Sequence, residues 1–338
     1  MTAAPDHAWD VPGESDVRLV ASDLDGTLLG PDGAVSRRTA DALAAAEDAG
    51  LDVVFVTARP HRWLADLASH VAGHGVAICA NGASVVDVAG LRVLEEHGMD
   101  ARRVAAVAAR LRAAWGADAV HLAAESADGF ASEHGFVSEH EVPAGSPTAV
   151  RIEDVLTPTT LKLLLRAPGR LQEADAFVAE AQAVIGDLAH VTSSAAGALG
   201  EIAAPGVTKA ATLAAWAAAR GIAPAQVWAV GDAPNDLPML TWAGRAFAVA
   251  NAHPAVRAAA HETLPSNADD GVAVLLDRAA ARARARAADG STLARLGDEG
   301  APHGTASTGT RQLPDVQGRR STGTRSVDTP PAGTQEDA

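Results

Sequence analysis

Short apolar runs that stop abruptly at polar, glycine-containing loops recur at both ends of the ordered part of this chain, and they constrain its fold more than any other feature. Residues 18–22 lead into Asp23-Leu24-Asp25-Gly26-Thr27, residues 53–56 into Thr57-Ala58-Arg59-Pro60, and residues 75–79 toward Asn81-Gly82-Ala83. A run of four or five residues that is apolar without alternation suits a strand covered on both faces. Between the runs the pattern turns helical: Ser36 can cap a helix over 37–49 that Gly50 closes, and 62–72 reads as another. Strands alternating with helices through short loops predict a parallel α/β sheet. The rhythm returns after Lys209, with a helix over 209–220 and a strand over 227–230 that enters Gly231-Asp232-Ala233-Pro234-Asn235-Asp236. A strand over 246–250 and a last helix beginning at Asp270-Gly271-Val272 follow.

From about residue 85 to 204 that rhythm breaks. Helices over 101–115 and 171–185 mix with strand candidates over 119–124, 160–166 and 188–192, which predicts a separate α+β module inserted into the first domain. The expected organisation is a flexible segment over 1–16, a core domain over 17–84 and 205–289, the insertion over 85–204, and a tail over 290–338. The tail turns to Gly, Ser, Thr, Pro and Arg, repeats Ser-Thr-Gly-Thr-Arg at 307–311 and 321–325, and holds too few apolar residues to offset ordering entropy. Disorder is expected there.

Composition narrows the class. Of the 338 residues 48% are hydrophobic but only 3% aromatic, with no Tyr, so the core must be Ala, Val and Leu with six Trp as scarce large fillers. A formal charge of −15 argues against nucleic acid or anionic membranes as partners. The single cysteine, Cys79, rules out an internal disulfide and fits a reducing compartment. Residues 1–16 carry Asp6, Asp10 and Glu14 and no apolar stretch of a signal peptide, and no window approaches the ~18 apolar residues of a membrane span. A soluble cytoplasmic protein is expected.

Four polar stations carry the chemistry, three of them where a predicted strand meets its loop, the edge at which open α/β sheets collect ligands. In the first, a carboxylate at a strand end can act as a nucleophile, and a second, two residues on, can protonate a leaving group and then activate water. Gly26 permits the tight reversal between them. Taken alone the pentapeptide also fits a surface turn, but apolar runs flank it on both sides. Thr57, the second station, suits either helix capping or holding a phosphoryl oxygen. Lys209, the third, is a compact cation at a helix start, where the dipole disfavours it. The fourth, around Asp232, offers the hard oxygen atoms Mg²⁺ requires, although Asp, Asn and Pro also make turns. Arg59 reads as a surface ion pair and Cys79 as core packing. His70, His74 and His121 read as surface or packing residues, and Arg282, Arg284 and Arg286 as a solvated helix end.

These motifs, with Val207-Thr208-Lys209, Asn251-Ala252-His253-Pro254 and Asp270-Gly271-Val272-Ala273, stand in an order and spacing that resembles the haloacid dehalogenase-like phosphatases, and within them the Cof-type branch, over about residues 17–278. The resemblance implies a Rossmann-like parallel-sheet core domain with an inserted α+β cap. It implies Asp23 as nucleophile and Asp25 as acid and base. Thr57, the Ala58 amide, Lys209 and Asn235 would bind phosphate. Asp23, the Asp25 carbonyl and Asp232 would hold Mg²⁺, and Asp236 would orient Lys209 or a metal-bound water. The family commonly has Gly after the lysine; here it is Ala210, a difference of local packing. The expected activity is Mg²⁺-dependent hydrolysis of a small soluble phosphate monoester, a sugar or cofactor phosphate, through an aspartyl-phosphate, with cap closure excluding water and cap loops around 124–138 choosing the substrate. A phosphomutase, or a phospho-ligand-binding regulator without turnover, fits the same motifs. Neither the ester nor the oligomeric state is legible.

Overall fold

A computed structural model describes residues 16–68, 75–127, 129–170, 173–193 and 199–298. The first half of the fold runs β1 (Leu19–Ser22), α1 (Arg37–Asp48), β2 (Asp52–Val56), α2 (Ala65–Ala68), β3 (Val76–Cys79), β4 (Ser84–Asp87) and β5 (Arg92–Glu96). Then come β6 (Met99–Asp100), α3 (Ala101–Trp115), β7 (His121–Ser126), β8 (Gly129–Glu133), β9 (Thr148–Ala149), β10 (Thr159–Thr160), β11 (Lys162–Arg166), α4 (Ala174–Ile185), β12 (His190–Thr192) and β13 (Leu199–Ala203). The chain returns through α5 (Lys209–Ala219), β14 (Val227–Gly231), α6 (Leu237–Trp242), β15 (Arg245–Val249), α7 (Pro254–Ala259), β16 (Glu262–Leu264) and α8 (Gly271–Asp298). Two compact units divide it, Met1–Leu293 and Ala294–Ala338; of the second only the end of α8 is described.

The large sheet has the order β16-β15-β14-β1-β2-β3-β4-β5, and it is parallel from β16 to β3. β1 lies at its middle, Val20 opposite Trp228 on one side and Val53 on the other. All four β1 residues are buried, Ser22 with the apolar three before it, as in a strand covered on both faces. Helices on each face complete the α/β layering, with Ser36 capping α1 by accepting from the Thr39 amide at 3.0 Å. A second sheet, β12-β13-β11-β7-β8-β9, is antiparallel apart from the β8–β9 pair, and it encloses its own apolar cluster with α3 and α4. Each body is filled mainly by Ala, Val and Leu, with one large aromatic pair apiece: Trp228 on Phe247 at 5.3 Å and Trp115 on Phe177 at 5.7 Å. This is an α/β fold with a parallel-sheet core and an inserted α+β cap.

The structure departs from the sequence expectations in four places. β4 and β5 extend the large sheet, so residues 84–96 pair with it and the insertion's own strands begin at Met99 rather than near 85. Positive φ at Ala80, Asn81 and Gly82 (50°, 58° and 109°) reverses the chain onto the free edge of β3, a hairpin that a βα rhythm does not announce. The helix expected over 62–72 is a 3-10 turn, His61–Leu64, followed by α2; His70 and His74 lie outside the described residues. α8 continues to Asp298, past the expected start of the tail at 290, because Gly290 alone does not outweigh its Ala, Leu and Arg neighbours. Its arginines stay wholly or partly exposed, yet each has a partner that the expected solvated end did not foresee. Arg282 lies 5.5 Å from the Trp228 ring, Arg284 donates to the Ala45 carbonyl, and Arg286 donates to Asp16 at 2.6 Å.

Candidate active site

The carboxyl ends of β1, β2 and β14 converge, and with them the four stations. The Asp23 amide donates to the Val230 carbonyl at 3.0 Å, which ends the β1–β14 ladder and leaves the carboxylate at the sheet edge. The chain then turns through Asp25 and Gly26, where φ is +76° and a Cβ would stand 2.5 Å from Asp232 Oδ2. Thr27 Oγ1 donates to Asp232 Oδ1 at 2.8 Å, and Asn251 Nδ2 donates to the Gly26 carbonyl at 2.7 Å. The first loop is thereby fastened to the fourth station on one side and to the segment after β15 on the other.

Lys209 reaches this edge from the first residue of α5. Its Nζ donates to Asp23 Oδ1 and Asp236 Oδ1, both at 2.7 Å, and all three side chains are buried. α5 is brought close by the Ala80–Gly82 turn: Thr212 Oγ1 donates to the Gly82 carbonyl at 2.8 Å, and a Cβ on Gly82 would lie 2.5 Å from the Thr208 carbonyl. The other oxygen of Asp236 accepts from the amides of Asp232 and Ala233, each at 3.1 Å. Asp236 therefore has both oxygens engaged, one with the Lys209 ammonium and one with the loop amides.

Burial pushes the Asp23 carboxyl well above the ordinary value; Lys209 opposes that rise, and the charges of Asp236 and Asp232 add to it. Asp232 is raised too, by burial first and by Asp236, against the Thr27 hydrogen bond and Lys209. Burial alone would lower Lys209, but Asp23 and Asp236 hold its ammonium protonated well above the usual lysine range. Oxygen atoms of Asp23, Asp232 and Asp236 lie within 4.8 Å of one another. Three carboxylates against one ammonium leave a formal charge of −2, which a divalent cation cancels. With Asp236 committed, Asp23 and Asp232 are the carboxylates left for it, and hard oxygen donors in a crowded acidic pocket suit Mg²⁺. The residues fit the ion.

Thr57 is buried, its amide held by Ile78 O at 2.8 Å while its Oγ1 accepts from the Arg59 amide at 3.1 Å. That bond closes a local turn rather than capping a helix, since the 3-10 turn His61–Leu64 has Pro60 at its cap position. Thr57, Ala58 and Asn235 line one cavity of about 810 Å³ with Asp23, Asp25 and Lys209. Among the described residues Asn235 Oδ1 has no hydrogen-bond partner, although it is buried there. Arg59 does form an ion pair, and its partner is Asp25: Nε and Nη2 donate to the two carboxylate oxygens at 2.7 and 2.5 Å. Asp25 thus lies beside the site but outside the carboxylate cluster. Cys79 is fully buried, and burial raises its thiol far above the ordinary value, as a packing residue requires.

The inserted segment brings side chains that the sequence did not mark. Lys162, in β11, donates to Glu201 Oε1 at 2.5 Å and to the Ala58 carbonyl at 2.8 Å. Glu201 Oε2 accepts in turn from Asn81 Nδ2 at 2.9 Å. Arg62 grips both oxygens of Glu125 from β7. Of the expected 124–138 loops, Phe130 and Ser138 line the cavity. A lysine inside the apolar run of β11 was the one available signal.

A buried carboxylate–lysine–carboxylate cluster at the carboxyl edge of a parallel sheet, roofed by an inserted sheet, defines an enzyme of the phosphoryl-transfer kind. The chain belongs to the haloacid dehalogenase-like hydrolases, whose family model matches residues 20–276. It is 29% identical over 269 residues to pyridoxal phosphate phosphatase YbhA of Escherichia coli, covering 76% of this chain and 96% of that one. It is 29% identical over 246 residues to the HMP-PP phosphatase of Yersinia enterocolitica, covering 71% and 86%. A solved phosphatase of the haloalkanoate (HAD) enzyme superfamily from Bacteroides thetaiotaomicron superposes with a TM-score of 0.66 at 22% identity, over 81% of this chain and 98% of that one. Among the described residues no helix is long and apolar enough to cross a membrane.

Proposed function

We propose that this protein is a phosphatase that hydrolyses a small soluble phosphate monoester through an aspartyl-phosphate on Asp23. The observation that carries the reading is Lys209 bridging Asp23 and Asp236 at 2.7 Å, which fixes one carboxylate oxygen and leaves the other for attack. Asp23 forms the new O–P bond as the ester's P–O bond breaks, and the leaving oxygen takes a proton from Asp25. Water then attacks the phosphoryl group, the Asp23–phosphorus bond breaks, and Asp25 receives the proton. Since Arg59 occupies both oxygens of Asp25, that carboxyl must turn from the guanidinium to face the leaving oxygen.

Thr57 Oγ1, the Ala58 amide, Asn235 and Lys209 are the phosphate-binding groups in this reading. Asp23, Asp232 and the Asp25 carbonyl would hold Mg²⁺, whose charge would offset the repulsion between phosphate and carboxylates. The segment from about residue 97 to 204 serves as the cap, and residues 17–96 and 205–289 as the core. The similarity to phosphatases named for pyridoxal phosphate and HMP-PP supports a small phosphorylated metabolite as substrate. Asp23→Asn removes the nucleophile while keeping a hydrogen-bonding side chain of the same shape. Phosphate release with Mg²⁺ should fall at least about a thousandfold with the circular dichroism spectrum unchanged. Near-full activity in the folded variant would sink the mechanism.

A further inference from the structure

Three consecutive carbonyls just past β2 take their hydrogen bonds from two different parts of the molecule. Thr57 O accepts from the Asn81 amide at 3.0 Å and Arg59 O from the Ala80 amide at 2.9 Å, so the Ala80–Gly82 turn of the core holds the outer two. The middle one, Ala58 O, accepts from Lys162 Nζ at 2.8 Å, and Lys162 belongs to β11 of the insertion. Lys162 donates also to Glu201 Oε1 at 2.5 Å, and the other oxygen of Glu201 accepts from Asn81 Nδ2 at 2.9 Å. The network thus closes on the same core turn.

The peptide that Lys162 grips has a second engagement. Its carbonyl is Ala58 O and its N–H is that of Arg59, which donates to Thr57 Oγ1 at 3.1 Å. A trans peptide is planar, so its C=O and N–H point in opposite directions and turn together. Fixing the carbonyl therefore fixes the hydrogen that the Thr57 hydroxyl accepts, and with it the directions in which that hydroxyl can donate. The Lys162 and Glu201 side chains are only 6% and 4% exposed. Apolar residues of similar volume often replace a buried ion pair without loss of stability, so stability alone gives no reason for an ammonium at this place. An ammonium does what an apolar side chain cannot: it donates to the Ala58 carbonyl.

We propose that Lys162, held by Glu201, is a positioning residue through which seating of the insertion on the core sets the Thr57 hydroxyl for a phosphoryl oxygen. The role of Thr57 is that of the phosphatase reading, on which this rests; Lys162 acts on it only through the Ala58–Arg59 peptide. With the insertion lifted away, Ala58 O loses this donor, the peptide can tilt, and the phosphate site loses an aligned hydroxyl.

The test is a double-mutant cycle in the full chain with Mg²⁺. It is read by phosphate release from p-nitrophenyl phosphate and pyridoxal 5′-phosphate and, separately, by calorimetric binding of inorganic phosphate. Lys162→Met is made together with Glu201→Gln, so that no buried carboxylate is left facing an apolar side chain. In the wild-type background this pair should lower kcat/KM and phosphate affinity by about tenfold, the worth of one hydrogen bond to a charged group. In Thr57→Val, which has no hydroxyl to orient, the same pair should cost less than about twofold. Thr57→Ser keeps the hydroxyl and should keep the tenfold effect. If the Met variant unfolds, Lys162→Gln with Glu201→Gln, a neutral pair able to hydrogen-bond, enters the same cycle. Equal losses in the wild-type and Thr57→Val backgrounds, which general loosening of the insertion would give, overturn the proposal, as does no loss in the wild type. If phosphate binding shows the coupling but neither ester is hydrolysed, Lys162 keeps its role and the phosphatase reading falls. If the wild type neither binds phosphate nor cleaves an ester, both fall.

Discussion

A methyl group on Gly26 would meet Asp232 Oδ2 at 2.5 Å in a residue whose φ is +76°, so substitution there acts on the Asp232 carboxylate and on the backbone together. The left-handed backbone costs a non-glycine residue about 1–2 kcal/mol, a tolerable loss for a domain of this size. The displacement of Asp232 is the graver effect, because a shift near 1 Å in a positioned group can cost about a hundredfold in rate. Gly26→Ala is therefore expected to lower kcat/KM by about a hundredfold while Tm falls by only about 2–6 °C; steady-state kinetics and calorimetry on one preparation check both. Loss of folding in step with activity would assign Gly26 to structure instead. Asp23, Lys209 and Asp232 were legible in sequence because each ends or begins an element whose apolar run is visible. Arg59 was legible as an ion pair but not its partner, since nothing in the spacing says that Asp25, 34 residues earlier, bends back to meet it. Glu201 was not legible, and Lys162 only as a charge at the start of an apolar run, because their partners depend on which faces of the inserted sheet meet the core, and register is a tertiary fact.

Several elements of the parallel core, among them α1, β2 and β14, were read to within a residue or so, since buried strands and capped helices carry their own signals. The helix expected over 62–72 failed, and α7 and β16 were not read. α3 came out at Ala101–Trp115 as expected, with Asp100 accepting from the Arg103 amide as its cap. What the sequence could not convey is how α3 is fastened. Arg112, nearly buried on its inner face, pairs with Glu133 of β8 and donates to Glu153 Oε1 at 2.5 Å, while Glu133 also accepts from the amides of Leu122 and Ile152 at 3.0 Å. Three segments of the insertion thus share one guanidinium. Partial burial works to raise the Glu153 carboxyl, yet Arg112 prevails and its value is lowered. A carboxyl lowered in the folded state adds stability above its unfolded value, near 4.5, and that stability is lost as pH falls through the lowered folded value. Glu153→Gln should cost about 1 kcal/mol at pH 7, discounted for the exposed side of the pair. Below about pH 4.5 its Tm should fall less steeply than that of the wild type. Parallel Tm–pH curves across that window would show that the pair carries no linkage.

At the scale of the whole molecule the charge is −15, and one concentration of it is the −2 left by Asp23, Asp232 and Asp236 against Lys209, with Asp23 and Asp236 buried and Asp232 partly so. Two effects of added Mg²⁺ must be separated: screening of the general negative field, and occupation of this one cluster. Screening depends on ionic strength, so NaCl at matched ionic strength reproduces it. Occupation stabilises only the folded chain, by RT ln(1 + [Mg²⁺]/Kd), or about 2.7 kcal/mol at a hundredfold excess over Kd. For a domain of 200 or more residues that corresponds to a rise in Tm of roughly 5–10 °C. The expected result is such a rise with MgCl₂, little with matched NaCl, and reversal by a chelator. In Asp232→Asn the folded protein loses one of the two carboxylates free to hold the ion, so the Mg²⁺-specific rise should shrink to near the NaCl baseline, although relief of repulsion with Asp236 makes that variant no less stable when metal-free. A Mg²⁺ response that survives Asp232→Asn would move the ion away from this cluster, and with it the balance of charge among Asp23, Asp236 and the partly buried Asp232 beside one lysine.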